Sequence, residues 1–542
     1  MLERTSEARL RLWWWLGCLS LSAGGANYAL IKSMNQDVAY YVNAVERLLH
    51  GAHLYRDLID VNVPTIYGVM ALPVWLGLHL GVAPPLAFNV FVLLLAVLST
   101  SAAFHAARRV LPHSALLPDV LAGILLLGFV VLPGFHFGQR EHLAAMGMAP
   151  YAVVRAGLCT ARPNRGFRAA VGLASGIGVA LKPYFGLIAL GMEAALILRR
   201  GRGWRPGLEC VLLGLAGSLC AVVTMVFFPE YFEHIVPLAR TVYASFEGPV
   251  LLTILADSAP RLFVYSPMLV LATLLATGLT PRTRDLIFIL TGGALGGFVA
   301  YFLQAKGWAY QMLPALIFSI TSFALALAAR VRGEGLVPCP SRLFAAGVSG
   351  LAVLAFAGFT LDLVGDYRSN AVLRTFFAST VTTLRDYARG GPALFVSIDL
   401  SYTFPGINYA GAVYPYRWHH LLPLPGLYRD FKPGPQHRFF RTPEEMNAIE
   451  RDFFESFVDD ALKFPPRIIM VNRRRAVRAG LAPDFDLFAY FCQSARFADL
   501  MRDYEWLDHR GYYDVLVPRE KPTDDAGPCG MPSTNIDTNP SS

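Results

Sequence analysis

Charge is what this 542-residue sequence has least of: Asp, Glu, Lys and Arg together make up 16%, against 54% hydrophobic residues. Soluble domains carry about a quarter charged residues, so a soluble enzyme is excluded. Metal-ligand spacing is missing among the seven cysteines. Cys18, Cys210 and Cys220 fall in apolar runs, where a thiol packs as a small hydrophobe. Cys492 and Cys529 fall in a polar C-terminal part and are able to pair if that part is extracytoplasmic. No basic face interleaved with aromatics accompanies the net charge of +8, so nucleic acid is not an expected partner. Arg4, Arg9 and Arg11 precede Trp13–Ser22 in the manner of a signal peptide. No small-x-small cleavage site follows, and the stretch reads as an uncleaved first span.

What is present in abundance is the apolar run of about 17–25 residues, the length that spans hydrocarbon. Such runs recur from Leu10 to Val364; from Gly365 onward none is long enough. The expected fold is therefore an α-helical polytopic membrane domain over 1–364, an extracytoplasmic α/β domain over 365–531 and a disordered tail over 532–542. Eleven spans are expected at 10–31, 86–107, 115–135, 143–158, 169–181, 185–198, 208–228, 262–279, 286–303, 312–329 and 343–364. The stretch 64–82 contains Pro64, Pro73 and His79 and is read as lying along or dipping into the membrane without crossing. With the N-terminus inside, this places Arg108-Arg109, Arg162/Arg165/Arg168, Arg199–Arg205, Arg282/Arg284 and Arg330/Arg332 in the cytoplasm, as the positive-inside rule asks. Residues 169–198 would be about 45 Å of helix, too long for one span. They are expected to go out and return, turning at Lys182-Pro183 because proline disfavours helix for the residue before it.

Four polar motifs then share the non-cytoplasmic side. Asn35-Gln36-Asp37 opens an amphipathic helix with Tyr41, Val42, Val45, Leu48 and Leu49 at helical spacing, suited to the interface, with Gly51 as its stop. Asp57 and Asp60 follow in a loop. Next come Gln139-Arg140-Glu141-His142, then Lys182-Pro183-Tyr184, then Gln304-Ala305-Lys306-Gly307-Trp308. Ionisable residues at membrane depth cost several kcal/mol and usually mark a ligand path. Each has a plainer reading as well. Asp37 also reads as a helix N-cap, Glu141 as a loop ion pair with Arg140 or His142, and Lys182 and Lys306 as snorkelling cations. Trp308 also reads as an interfacial aromatic, and Asp57 and Asp60 as loop ties through Arg56.

The stretch QDVAYYVNAVERLLHGAHLYRDLIDVNVP, with FGQREHLA, ALKPYF and QAKGWAYQMLPA, resembles the GT-C class of membrane glycosyltransferases. It looks like the bacterial relatives grouped with rhizobial lipopolysaccharide-core glycosyltransferases and with protein O-mannosyltransferases. The shared feature is an Asp just after the first span and a second acidic loop between the third and fourth spans, here Asp37 and Glu141. The resemblance covers about 1–330. It implies transfer of a sugar from a polyprenyl-phosphate donor to an extracytoplasmic glycan, lipid or protein acceptor at a bacterial inner membrane. Asp37 would be the general base. Lys182, Lys306 and Arg140 would hold the donor phosphate. Gln139, Glu141, His142, Asp57, Asp60, Gln304, Trp308 and Tyr184 would contact sugar or acceptor. Arg140-Glu141 stands where metal-dependent members carry two acids, so no metal or other cofactor is expected, although a divalent ion is compatible.

In the C-terminal part, Ala393–Ile398 and Arg467–Val471 read as strands and Pro443–Leu462 and Phe485–Tyr504 as helices. Asp399, Arg417, His419 and His420 there read first as surface and turn residues and secondly as acceptor contacts. The rival functions are a transporter or flippase for a lipid-linked sugar, an O-antigen ligase or polymerase, and a non-catalytic assembly partner. A transporter would more often show repeated halves and mid-bilayer polar residues. No internal repeat is visible, and the charges sit at span ends.

Overall fold

Proline and glycine place most of the helix boundaries. Pro84, Pro281 and Pro314 stand in the first turn of their helices, where the missing N–H costs nothing, and Gly81 closes a helix in the left-handed conformation. The computed structural model describes residues 2–157, 163–244, 250–333, 364, 377–431, 439–472, 481, 485–520 and 527–530. It forms two compact units. Unit 1 takes Met1–Val38, Asn62–Phe227 and Gly248–Asn370; unit 2 takes Ala39–Val61, Phe228–Glu247 and Ala371–Ser542. Two segments of the N-terminal part thus belong with the C-terminal part, an interleaving with no local sequence signal.

Unit 1 is helical. Its elements are α1 (Leu2–Ile31), the start of α2 (Gln36–Leu49), α3 (Thr65–Leu80), α4 (Pro84–Val110), α5 (Leu116–Val130), α6 (Arg140–Ala156), α7 (Arg165–Ala180), α8 (Gly186–Arg200) and α9 (Leu208–Phe227). After α10 (Val236–Ala244) of unit 2 come α11 (Val250–Ala276), α12 (Pro281–Gln304) and α13 (Leu313–Val331). Among the described residues five helices are long and apolar enough to cross a membrane: Pro84–Val110, Leu208–Phe227, Ser258–Ala276, Pro281–Gln304 and Ala309–Val331. The chain is a multi-pass membrane protein. The expected turn at Lys182-Pro183 is present: α7 and α8 are 16 and 15 residues long, about 24 Å each. The expected span 343–364 lies, apart from residue 364, outside the described residues.

Small residues let the helices of unit 1 approach closely. A β-carbon on Gly191 of α8 would sit 2.2 Å from the Gly292 carbonyl of α12, and one on Gly176 of α7 would sit 2.5 Å from the Leu213 carbonyl of α9. Away from these seams, ion pairs tie the helices. Arg155 of α6, fully buried, donates to Glu193 of α8 at 2.6 Å and to Glu209 of α9 at 3.2 Å, and Arg168 of α7 donates to Glu209 at 2.7 Å. Tyr151 and Trp204 add hydrogen bonds to Glu193 at 2.6 and 2.8 Å. Arg200 reaches Asp285 at 2.9 Å and Arg11 pairs with Asp119. Of the arginines read as loop charges, Arg168 thus has a buried carboxylate partner, and Arg199 and Arg200 share the half-buried Asp285.

Unit 2 holds a four-stranded sheet of order β1-β3-β5-β4: β1 (Ala393–Val396) and β3 (Ile468–Asn472) are parallel, and β5 (Tyr513–Pro518) is antiparallel to both β3 and β4 (Tyr504–Arg510). A short strand β2 (Ser401–Tyr402) precedes a helix over Thr403–Ala410. Helix Ala448–Lys463 packs Phe457 on Phe491 at 3.9 Å. The single helix expected over 485–504 is instead two short ones, Leu487–Cys492 and Ala495–Met501, because the Ser494 side chain caps the second, and Tyr504 already begins β4. Cys492 and Cys529 are disulfide-bonded. The body of α2 docks within this unit. Arg47 donates to the Pro415 and Tyr416 carbonyls at 2.8 Å each, and Tyr40 stacks on His419 at 4.1 Å. Its apolar stripe, expected at a lipid interface, is buried in protein at Tyr41, Val42 and Val45. The tail 532–542 lies outside the described residues.

Candidate active site

The site is built on the first turn of α6, and a glycine makes that turn accessible. Gly138 has φ +84°, and a β-carbon there would lie 2.7 Å from the Phe88 ring. Only glycine suits both demands. The chain then extends at Gln139, the N-cap residue of α6, and enters the helix at Arg140. Gln139, Arg140, Glu141 and His142 are all buried, and each meets a different partner.

Gln139 Nε2 donates to Asp37 Oδ2 at 2.9 Å and to Asn35 Oδ1 at 2.7 Å. Arg140 donates to the Asn62 side-chain oxygen. Glu141 Oε1 accepts from Lys182 Nζ at 3.1 Å. His142 Nδ1 accepts from the Gly138 N–H at 3.1 Å, so the ring proton sits on Nε2. At the start of α2, Asn35 Oδ1 accepts from the Asp37 N–H at 3.0 Å. Asn35 is therefore the capping side chain, and the Asp37 carboxylate turns to Gln139 instead.

Two lysines complete the group from turns between helices. Lys182 is extended ahead of Pro183 between α7 and α8. Lys306 stands between Ala305 (φ 51°) and Gly307 (φ 69°); a left-handed alanine costs about 1–2 kcal/mol, strain typical of functional turns. Lys306 Nζ lies 4.9 Å from the centre of the Trp308 ring. Burial pushes the Lys306 ammonium down to about 6. The charges of Lys182 and Arg140 push the same way, while Glu141 and Asp37 oppose them. Lys182 is likewise lowered by burial and Arg140, against Glu141 and Asp37. These mutual influences group Asp37, Arg140, Glu141, Lys182 and Lys306: three basic groups and two carboxylates, so the site gains a surplus of positive charge when Lys306 is protonated, as a bound anion would favour. Among the described residues no group of three or more His, Cys, Asp or Glu gathers as a metal site.

No protein-family model and no curated protein matches the sequence. Solved structures resemble it, one of them with a TM-score above 0.5. ArnT from Cupriavidus metallidurans in the apo state gives a TM-score of 0.53 at 14% identity, with 93% of this chain and 97% of that chain covered. The same protein bound to undecaprenyl phosphate gives 0.46 at 13% identity, with 93% and 97% covered. Arabinofuranosyltransferase AftD from Mycobacteria gives 0.41 at 16% identity, covering 92% of this chain and 41% of that one. The fold is that of a GT-C membrane glycosyltransferase.

Within this GT-C fold the residues singled out from sequence separate into three groups. Asp37, Lys182 and Lys306 are partly accessible, while Tyr184 and Trp308 are exposed. Gln139, Glu141 and His142 are fully buried beneath them. Gln304 is also buried; its Nε2 donates to the Ala300 carbonyl at 2.9 Å and its Oε1 has no hydrogen-bond partner among the described residues. Asp57 and Asp60 belong to unit 2. Asp57 accepts from the His53 N–H at 2.8 Å, and Asp60 is buried. Arg56, read as their tie, pairs with Glu230 instead. Asp399 closes a turn by accepting from the Ser401 N–H at 2.8 Å, Arg417 is fixed on Asp460 at 3.0 Å, and His419 packs against His420. Sequence reasoning missed Asn35 and Asn62. The signal for Asn35 was present, since an asparagine just ahead of an amphipathic helix is a preferred cap.

Proposed function

We propose that this chain is a glycosyltransferase that moves a sugar from a polyprenyl-phosphate donor to an extracytoplasmic glycan, lipid or protein acceptor. The observation that carries the reading is a half-buried carboxylate, Asp37, fixed by Gln139 beside the cations Lys182, Lys306 and Arg140. An acceptor hydroxyl is a weak nucleophile and needs a base within hydrogen-bond reach. Asp37 takes its proton as the oxygen attacks the anomeric carbon. The bond from that carbon to the phosphate oxygen breaks, and its electron pair leaves with the polyprenyl phosphate. Attack from the face opposite the phosphate inverts configuration. Lys182, Lys306 and Arg140 stabilise the charge that grows on the departing phosphate, with no divalent ion required. Glu141 acts through Lys182, whose ammonium it holds. Tyr184 and Trp308 offer exposed aromatic surfaces for the sugar or acceptor.

The proposed setting is a bacterial inner membrane, with about eleven crossings and residues 365–531 outside. The Cys492–Cys529 bridge supports that side, because disulfides persist in oxidising compartments. The test is transfer by purified full-length protein in lipid nanodiscs. Donors are a panel of synthetic polyprenyl-phosphate sugars; the acceptor is envelope glycolipid from a strain lacking this protein. Labelled sugar should pass to the extract and free polyprenyl phosphate should appear, with or without chelator. Movement of the intact donor across the bilayer with no cleavage would make the protein a flippase. Loss of transfer on chelation would displace the lysines from their proposed role.

A further inference from the structure

We infer that Gln139 is a positioning residue for the general base, not a sugar contact; this rests on the function proposed above. The argument starts from the chemistry of one amide. A carboxylate only accepts hydrogen bonds, so the Gln139 group facing Asp37 must be its NH2. That nitrogen has two hydrogens, and two oxygens lie within reach of it: Asp37 Oδ2 at 2.9 Å and Asn35 Oδ1 at 2.7 Å. Both hydrogens are committed, so Gln139 has no donor to offer a sugar hydroxyl; its Oε1 has no hydrogen-bond partner among the described residues, but the side chain is fully buried and presents no surface to a sugar.

The main chain of Gln139 is equally constrained. Its carbonyl accepts from the Leu143 N–H at 3.0 Å in the first turn of α6, and its N–H donates to the His136 carbonyl at 3.2 Å. Asn35, the second partner, also caps α2 through the Asp37 N–H. Asn35, Asp37 and Gln139 thus close a ring of three hydrogen bonds between the starts of two helices. This ring selects the rotamer of the Asp37 side chain. Glu141, two residues on, holds Lys182 at 3.1 Å, so one helical turn orients both the base and a cation for the leaving phosphate. Holding a reacting group in its productive geometry lowers the barrier without touching the substrate.

Two substitutions at position 139 test this in the transfer assay with purified full-length protein and the same polyprenyl-phosphate donor panel. Gln139→Met keeps the volume and removes both hydrogen bonds. Its kcat should fall by roughly 10- to 100-fold, with donor KM changed by less than about twofold. Gln139→Glu sets two carboxylates against each other, and such a pair holds a shared proton more tightly than either acid alone. While that proton is present, the introduced carboxyl group still donates to an ionised Asp37; once it leaves, the two repel. At saturating donor, kcat of Gln139→Glu should therefore fall as pH rises from 5 to 8, whereas wild-type kcat rises or stays level. Recovery at low pH in the same sample shows that the protein is folded, which a merely structural role for Gln139 would not produce. Wild-type kcat in Gln139→Met, or a Gln139→Glu profile parallel to wild type, overturns the positioning role. Asp37→Asn is assayed alongside. Full transfer by Asp37→Asn would bring down the general-base reading itself, while an inactive Asp37→Asn beside an active Gln139→Met would bring down only the inference about Gln139.

Discussion

An aspartate replaced by its own amide separates proton transfer from every other service that the side chain performs. Asp37→Asn keeps shape and still accepts from Gln139, and it leaves the α2 cap alone because Asn35 does the capping. Transfer should drop at least 100-fold, while the melting temperature and donor binding stay near wild type. Retained transfer would mean that the base lies elsewhere. Lys306 gives a pH signature of its own. Its ammonium is pushed down to about 6, so above that pH the empty site holds a neutral amine. A bound phosphodiester favours the charged form, so binding takes up a proton, and donor affinity should weaken as pH rises above about 6, by up to tenfold per unit. A sugar phosphodiester does not itself titrate there, so Lys306→Met should flatten the curve; titration calorimetry in two buffers of different ionisation heat checks it. Asp37 and both lysines were legible in the sequence because charge is conspicuous beside apolar spans. The office of Gln139 was not, because an uncharged amide acquires meaning only from a partner 102 positions away.

At the scale of the element, breakers and caps were readable and lateral partners were not. The turn at Lys182-Pro183 follows from what proline does to its predecessor. Yet Arg155 and Glu193 sit 38 residues apart, and nothing local shows that one neutralises the other. Removing one member of a buried ion network costs about 3–5 kcal/mol by stranding the rest. Glu209→Ala leaves Arg155 and Arg168 with reduced compensation. It should lower the melting temperature and yield of purified protein while the folded fraction keeps wild-type turnover per molecule. Glycine seams predict a different failure. A side chain on Gly292 would meet the Gly191 carbonyl at 2.3 Å, so Gly292→Val should force α8 and α12 apart. A cysteine pair engineered across that seam should then cross-link in the parent and fail to do so in the variant. Strands β4 and β5 escaped notice because Tyr504–Arg510 alternates imperfectly and its exposed side is charged.

At the scale of the whole molecule, sidedness and the number of crossings each have a direct test. Reporter fusions after Arg108, Arg202 and Arg332 should read cytoplasm and fusions after Gly365 the outside; a cytoplasmic signal after Gly365 would undo the site assignment. Engineered cysteines at both ends of α3 should react with an impermeant thiol reagent added from outside. Labelling at one end only would mean that this 16-residue helix crosses. The sequence changes texture after Val364, but it carries no sign of the share that Ala39–Val61 takes in unit 2, since burial by a distant segment leaves no periodicity of its own. That share has a consequence for synthesis. Arg47 finds its carbonyl partner at Tyr416, 369 residues further along. At about 5–20 residues per second the ribosome delivers that partner roughly 20–70 s after α2 has emerged. During that interval α2 must wait with Tyr41, Val42 and Val45 uncovered, beside a membrane that has room for them. A chain terminated near residue 364 would never leave that waiting state, so deleting the C-terminal part should remove not an appendage but the folding template of the segment that begins just after Asp37.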